Sequence, residues 1–237
     1  MAWTLVTGGA KRLGANICVA LAREGYDLAV HYNTSKLEAV EVARQCKLEG
    51  VQAEIIQGDF STSALTLEFI QRYRERFPET ENIVHNVGNY LIKSLLKTSL
   101  DEWQSLLQTN LTTPFLLNKE LMESLVRYRG SIIHLGVVGV QSLRASVDSG
   151  AYKLTKGALL MLTRSLAKEL ASQGVRVNMV SPGYLDIAVD SPEDPSVLPM
   201  HRPASCDEVS SAVAFLLNRH NSYITGQNIE VAGAVGL

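Results

Sequence analysis

The sequence lacks the features that mark disulfide-rich, membrane-spanning or nucleic-acid-binding proteins. Its three cysteines, Cys18, Cys46 and Cys206, are odd in number and widely spaced, which argues against a disulfide framework or a cysteine metal site. No apolar run approaches the ~20 residues that span a bilayer. The formal net charge is −2 with scattered Lys and Arg, so no basic face for nucleic acid is expected.

Two further absences bear on location and on metals. The N-terminal stretch MAWTLVTGG has no basic segment followed by a long apolar core, so no signal peptide is expected. No group of His, Cys or carboxylate residues has the spacing of metal ligands, so no metal site is expected. Together these absences predict a soluble, cytoplasmic protein without nucleic-acid or membrane partners.

Short apolar runs alternate with amphipathic stretches along all 237 residues. Several runs are continuously apolar, which is typical of strands buried on both faces of a parallel sheet. Strands that alternate with helices predict a single α/β domain, 1–237, with a doubly wound parallel sheet of about seven strands and helices on both faces. A proline-rich segment suggests a small substrate loop around 184–203. The expected strands are 3–6, 27–32, 53–57, 82–86, 131–135, 175–180 and 228–232.

A glycine-rich turn, VTGGAKRLG (6–14), follows the first expected strand and opens the first expected helix, 12–24. Backbone N–H groups and the positive end of a helix dipole make such a turn a pyrophosphate site. Gly8, Gly9 and Gly14 do not fit G-x-G-x-x-G, and an ordinary strand-to-helix turn is the alternative. Lys11 and Arg12 favour the anion site, because two cations beside a helix N-terminus cost free energy unless an anion is bound there.

The end of the second expected strand, AVHYNTS (29–35), bears on cofactor choice. Sites that prefer NAD place Asp or Glu there to hold the ribose 2′-OH, but the first acidic residue here is Glu38. His31, Asn33, Thr34 and Ser35 are possible donors to a 2′-phosphate. NADPH is therefore expected over NADH, with a plain polar loop as the alternative.

The segment GAYKLTK (150–156) places Tyr152 and Lys156 four residues apart, on one face of a helix expected over 151–172. With the features above, the chain resembles the short-chain dehydrogenase/reductase family from Val6 to about Gly233. The matching segments are TGGAKRLG, GDF, HNVG (85–88), TNL around Asn110, YKLTK, RVNMVSPG (176–183) and YITGQNIEV (223–231). The resemblance implies a Rossmann-like fold and an NAD(P)H-dependent oxidoreductase, assembled as a homotetramer or dimer through the helices carrying Asn110 and Tyr152.

The resemblance also implies residue roles. Tyr152 would protonate the substrate oxygen, and Lys156 would hold the nicotinamide ribose and lower the pKa of the tyrosine. Asn110 would help to anchor a water relay to that lysine. Asp59 and Phe60 would flank the adenine, Asn86, Val87 and Gly88 would line the cofactor ribose, and Pro182 and Gly183 would lie behind the nicotinamide. The other expected cofactor-binding residues are Gly8, Lys11, Arg12, Leu13, Gly14, His31, Tyr32, Asn33, Thr34, Ser35, Tyr152 and Lys156.

Within that family, three features are similar to the pteridine reductase branch. Arg12 and Leu13 replace the usual Gly-Ile, His31 and Tyr32 precede Ser35, and LPMHRPAS occupies 198–205. Thr34 differs, because those enzymes usually carry an arginine beside the 2′-phosphate. The resemblance implies a small carbonyl or pterin-like substrate.

One family residue is missing from the sequence. The family usually places a serine at the end of the fifth strand, and pteridine reductases often have aspartate there, whereas Val137 or a neighbour occupies this position here. Ser142, Ser146 and Ser149 are the nearest hydroxyls, and that role stays unassigned. The missing serine favours one alternative, a nucleotide-binding protein with lost or reduced catalysis. A second alternative is a β-ketoacyl-acyl-carrier-protein reductase, the activity that the resemblance most often implies for this length and ending.

Overall fold

The computed structural model describes residues 2–142, 145–188 and 191–237, and its centre is a parallel β-sheet. Seven strands pair in the order β3-β2-β1-β4-β5-β6-β7, and every pairing is parallel. This confirms the predicted sheet. The strands are β1 (Trp3–Val6), β2 (Asp27–Tyr32), β3 (Ala53–Gln57), β4 (Thr80–His85), β5 (Ser131–Leu135), β6 (Arg176–Pro182) and β7 (Asn228–Val231).

Helices cover both faces of the sheet. They are α1 (Arg12–Arg23), α2 (Lys36–Leu48), α3 (Ser63–Arg76), α4 (Leu100–Leu107), α5 (Thr113–Glu120), α6 (Met122–Tyr128), α7 (Gly150–Leu170) and α8 (Cys206–Leu217). A π-helical turn, Gln108–Thr112, joins α4 to α5. None of the helices in the described ranges is long and apolar enough to cross a membrane.

Strand side chains alternate between two hydrophobic cores, as a period of two requires. Val6 belongs to the core under α1, α2 and α8, whereas Leu5 belongs to the core under α3, α5, α6 and α7. Both side chains are fully buried. Burial on both faces explains why the strands read as continuous apolar runs and not as alternating ones.

Four strands match their predicted bounds, and three differ at the ends. β4 begins at Thr80 rather than 82, because the Thr80 hydroxyl donates to the Phe77 carbonyl at 3.1 Å and is satisfied inside the core. β6 runs to Pro182, whose carbonyl accepts the Val138 N–H at 2.9 Å, so a strand end can include a proline. β7 ends at Val231, one residue before the predicted end.

The strand order places the site. The chain leaves β1 towards β2 and β3 on one side and continues with β4 on the other, so the order reverses between β1 and β4. Ligands of open α/β sheets bind outside the carboxyl ends of strands at such a point. The turns after β1, β4 and β5 meet there.

Candidate active site

The turn after β1 is shaped by two glycines and one asparagine. Gly8 has a φ of +63°, and a β-carbon on it would lie 2.9 Å from Val87 Cγ2. A β-carbon on Gly14 would lie 2.1 Å from the Gly8 carbonyl oxygen. Asn86 Nδ2 donates to the carbonyls of Thr7 and Gly8 at 3.1 and 3.2 Å. Glycine is therefore required at both positions, and the Asn86 amide holds the turn.

Thr7 ties the turn to the segment after β4. Its hydroxyl accepts the N–H groups of Asn86 and Val87 at 3.0 and 3.1 Å and donates to the Val84 carbonyl at 3.3 Å. The predicted residues Asn86 and Val87 are thus brought against the predicted Gly8. The two segments act as one framework, and the sequence reasoning did not include Thr7.

The interpretation of His31 as a donor to a 2′-phosphate is corrected. Its ring is 2% exposed: Nδ1 accepts the Gly8 N–H at 2.9 Å, and Nε2 lies 3.1 Å from the Gly58 carbonyl. These partners fix a neutral ring with its proton on Nε2. Burial lowers the pKa of His31 to about 4, so the ring carries no charge near neutral pH. His31 supports the turn from below.

Phe60 also lies beneath the surface of the site. Its ring stacks on His31 with centroids 4.3 Å apart and planes 8° apart, and its side chain is buried. Tyr32 is buried as well, and Leu13 packs on the core under α1. Asp59 accepts the Ser61 N–H at 2.8 Å. Phe60 and Tyr32 can therefore meet a cofactor only through their exposed edges and backbone.

Arg12 opens α1 in a left-handed backbone conformation, with a φ of +51°. This region costs a non-glycine residue on the order of 1 kcal/mol, and such strain clusters at ligand sites. The Arg12 side chain is exposed and forms no salt bridge within the described part of the chain. It remains available for an anion. Lys11, by contrast, pairs with Glu38 at 2.8 Å.

The loop after β2 is the most open part of the predicted cofactor site. Asn33 and Thr34 are exposed, and Ser35 is half-buried as the N-cap of α2. The Ser35 hydroxyl accepts no hydrogen bond from the first turn of that helix. In a dinucleotide site, side chains at this position contact the 2′ substituent of the adenosine ribose.

Tyr152 and Lys156 lie on the face of α7 that packs towards the sheet. Lys156 is 5% exposed, and its Nζ donates to the Leu135 carbonyl at 2.7 Å. The same Nζ lies 5.7 Å from the centroid of the Tyr152 ring. Burial lowers the pKa of Lys156 to about 8. This value is still above neutral pH, so the ammonium group stays protonated there and stabilises negative charge on the neighbouring phenol.

Asn110 is brought to the same point by the π-helical turn, a feature frequent at functional sites. Its Nδ2 donates to the Asn89 carbonyl and to Thr155 Oγ1, both at 3.0 Å, and its Oδ1 accepts the Asn89 N–H at 2.8 Å. The Asn110 side chain therefore joins the loop after β4 to α7. Its part in a water relay stays a prediction.

A buried chain of hydrogen bonds lies beneath these residues. His85 Nε2 lies 2.7 Å from Asn118 Oδ1, Asn118 Nδ2 lies 3.1 Å from His134 Nε2, and His134 Nδ1 lies 2.8 Å from Thr163 Oγ1. Thr163 in turn donates to the Leu159 carbonyl at 2.8 Å. The pattern assigns one donor to each link and connects β4, α5, β5 and α7. Asn118 was missed because nothing in its sequence context distinguishes it.

The position of the missing serine is apolar. Val137 packs against Val140, Leu159, Leu160 and Met179 and brings no hydroxyl. Ser142 donates to the Gly139 carbonyl at 2.8 Å, while the hydroxyls of Ser146 and Ser149 bond each other at 2.9 Å. These serines therefore have structural partners.

The segment after β6 completes the wall of the site. The Gly183 N–H donates to the Val231 carbonyl at 3.0 Å, and a β-carbon on Gly183 would lie 2.9 Å from Ala232 Cα. Gly183 is thus also required by packing against the segment after β7. The predicted substrate loop, 184–203, follows directly, and its residues 189 and 190 lie outside the described residues.

Residues 8–235 match the family model described as enoyl-(acyl carrier protein) reductase. The chain belongs to the short-chain dehydrogenase/reductase family. This short-chain dehydrogenase/reductase is an NAD(P)H-dependent oxidoreductase. It is 32% identical to the 3-oxoacyl-acyl-carrier-protein reductase FabG of Staphylococcus epidermidis over 240 residues, covering 98% of this chain and 97% of the relative.

Solved structures of the family agree with the fold. A blue fluorescent protein from a metagenomic library, crystallised in complex with NADPH, has a TM-score of 0.90 and 28% identity, covering 100% of this chain and 98% of that one. Acetoin dehydrogenase from Enterobacter cloacae has a TM-score of 0.89 and 27% identity, covering 98% and 94%.

The residues present fit a dinucleotide. Gly8 and Gly14 leave no room for side chains at the phosphate turn. Arg12 offers a cation there that has no salt bridge among the described residues. Gly88 keeps the space between Asn110 and Lys156 open. Backbone amides, a cation and a cradle that a β-carbon would fill are the groups that a pyrophosphate and a ribose require.

Proposed function

We propose that this protein is an NADPH-dependent reductase of a small carbonyl or pterin-like compound, with Tyr152 as the proton donor. The approach of Lys156 to the Tyr152 ring, at 5.7 Å, carries this proposal. A cation held in place by its hydrogen bond to the Leu135 carbonyl favours the ionised form of a neighbouring phenol. A phenol tuned towards neutral pH is an effective general acid for an alkoxide product.

The cofactor, when bound, supplies the hydride. Tyr152 then gives its proton to the substrate oxygen, and Lys156 stabilises the phenolate that remains. Asn110 fixes the loop after β4 against Thr155 of α7, one residue before Lys156 in the chain. The chain thus contributes orientation, a proton at a defined oxygen and a buried positive charge.

Three features support NADPH over NADH. The end of β2 and the following loop carry no acidic residue before Glu38, so no carboxylate at the end of the strand repels a 2′-phosphate. Asn33, Thr34 and Ser35 are accessible donors at that end. The metagenomic structural relative was solved with NADPH.

The substrate side supports a compound that brings its own polar groups. Val137 offers no hydroxyl to polarise a ketone. Tyr90, 45% exposed, packs edge-to-face on Tyr152 with centroids 4.7 Å apart, which presents an aromatic face beside the proton donor. A planar conjugated ring packs well on such a face. Arg12 adds an available cation near the phosphate turn.

Reduction of a carrier-bound 3-oxoacyl chain is the second candidate. It is favoured by the 32% identity to a 3-oxoacyl-acyl-carrier-protein reductase over nearly the whole length of both chains. A cavity of about 390 Å³ beside Val137, with Leu95, Val140 and Leu154 among its walls, offers apolar surface for an acyl group. Tyr152 and Lys156 are not among the described residues that line it.

Comparing substrate classes tests the proposal. NADPH oxidation is followed with dihydropterins, quinonoid pterins, small diketones and acetoacetyl thioesters, and kcat/KM is compared because it reports transition-state discrimination. We expect a higher value for a dihydropterin or diketone than for the thioester. A higher value for the thioester selects the second candidate.

We also propose a homo-oligomer that packs through α5 and α7. Leu159 and Leu170 of α7 are buried in the core of this chain and do not face a partner. The exposed apolar side chains on these helices are Phe115, Leu154 and Met161. They give the helices an apolar outer surface, which a second copy would cover. Light scattering of the purified protein measures the assembly state.

A further inference from the structure

A salt bridge crosses between the first turns of the two helices nearest the expected adenosine. Lys11 is the N-cap of α1, and Glu38 lies in the first turn of α2. Lys11 Nζ and Glu38 Oε1 are 2.8 Å apart. The Lys11 side chain lowers the pKa of Glu38, chiefly through this hydrogen bond, so the carboxylate is charged at neutral pH.

The salt bridge shows where the Lys11 ammonium can reach. Glu38 lies three residues after Ser35, the last residue of the loop that follows β2. That loop is where a dinucleotide site distinguishes a 2′-OH from a 2′-phosphate. Lys11 is therefore long enough to contact a 2′-phosphate, but in this structure its charge is directed to a carboxylate of the same chain.

We propose that Glu38 is a specificity-determining residue that weakens the binding of the 2′-phosphate by competing for Lys11. This proposal rests on the proposed use of NADPH. Both side chains are about half exposed, so the pair is weak and a phosphate can displace it. Glu38 thereby narrows the difference between the affinities for NADPH and NADH.

The chain contains a matched control for this proposal. Glu41 lies on the same helix, is exposed, and pairs with Arg44 at 2.8 Å, away from the Lys11 contact. Glu38→Gln and Glu41→Gln change the net charge and the charge of α2 by the same amount. Only Glu38→Gln releases Lys11, so any difference between the two variants reports that release.

Calorimetric titration with 2′,5′-ADP and 5′-AMP measures the effect without turnover, because the two probes differ by the 2′-phosphate. For Glu38→Gln we expect about threefold to fivefold tighter binding of 2′,5′-ADP, in the range of exposed charge pairs, and unchanged binding of 5′-AMP. Glu41→Gln should change neither. In the Lys11→Met background, Glu38→Gln should lose most of its effect, and added salt should reduce it.

Three results would overturn the inference. Equal effects of Glu38→Gln and Glu41→Gln on 2′,5′-ADP binding would mean that only the net charge of the protein matters. Weaker binding of 2′,5′-ADP by Glu38→Gln would mean that Glu38 positions Lys11 productively. Unchanged binding of both probes by Glu38→Gln would mean that Glu38 has no influence on the 2′-phosphate. A wild-type protein that binds NADH more tightly than NADPH contradicts the proposed cofactor instead, and the ratio between the two variants still tests Glu38.

Discussion

The side chains of Asn110 and Lys156 approach one glycine from two different helical segments. A β-carbon on Gly88 would lie 3.3 Å from Asn110 Oδ1 and 3.3 Å from Lys156 Nζ. Both atoms are held by other hydrogen bonds, to the Asn89 N–H and the Leu135 carbonyl. The space above Gly88 is thus bounded by an amide and a cation, as a ribose site requires.

Gly88→Ala should therefore damage the site and leave the fold intact. We expect cofactor affinity to fall by a factor on the order of 10, because the methyl group takes space that the cofactor needs between two fixed polar groups. NADPH fluorescence titration measures it. Gly157→Ala, on α7 where a β-carbon meets nothing within 4 Å, is the control and should keep the wild-type Kd. Equal affinities for both variants would contradict the assignment of Gly88.

Arg12→Gly should stabilise the protein and weaken cofactor binding. The φ of +51° costs arginine about 1 kcal/mol that glycine does not lose, while the removed cation no longer meets the pyrophosphate. Urea unfolding and NADPH titration measure the two effects. Arg129, with a φ of +50° at the end of α6, provides a control: Arg129→Gly should stabilise without changing the Kd. Arg12→Gly with unchanged NADPH affinity would exclude Arg12 from the anion site.

Asn118→Leu should destabilise the fold by about 2–4 kcal/mol, because it leaves two buried imidazole nitrogens without partners. The free energy of unfolding in urea measures this loss. Gln104→Leu on the exposed side of α4 should change stability by less than about 0.5 kcal/mol. A loss for Asn118→Leu as small as that of the control would mean that the buried chain of hydrogen bonds contributes little.

The three buried histidines should make stability fall steeply as pH decreases. Burial lowers the pKa of His31 and His85 to about 4 and that of His134 well below its ordinary value. The unfolded chain therefore binds more protons below about pH 6.5, so stability is complete above that pH and is lost as pH falls towards 4. Three such groups give a slope approaching about 4 kcal/mol per pH unit near pH 5.

His85→Asn tests this origin. We expect the slope near pH 5 to decrease by about a third, because one of three protons is removed from the linkage. Chemical denaturation between pH 4.5 and 7.5 measures it. His220→Gln, an exposed substitution, should keep the wild-type slope. An unchanged slope in His85→Asn would show that other groups control acid stability.

Most strands could be predicted from the sequence, because a strand buried on both faces of the sheet is a short apolar run. The strands from Trp3, Asp27, Ala53 and Ser131 have their predicted bounds. The start of β4 at Thr80 was missed, because its polar residues are buried through side-chain hydrogen bonds that no local pattern reveals.

The sequence predicted which site residues share one helix, but it did not predict contacts between residues of different elements. Tyr152 and Lys156 meet because one helix carries both. The sequence placed His31 at the correct strand end but could not show that its ring turns inward to accept the Gly8 N–H. Likewise, the salt bridge between Lys11 and Glu38 joins two helices, so spacing alone did not predict it.

The most direct test of the account is the turnover of Tyr152→Phe on a carbonyl substrate that the wild-type protein reduces. We expect NADPH to bind with an affinity within about twofold of wild type, while kcat falls by a factor on the order of 10² or more, because the variant keeps the ring and lacks the proton. A variant that retains most of the wild-type kcat would contradict the central claim, as would a wild-type protein that binds NADPH and reduces none of the four substrate classes.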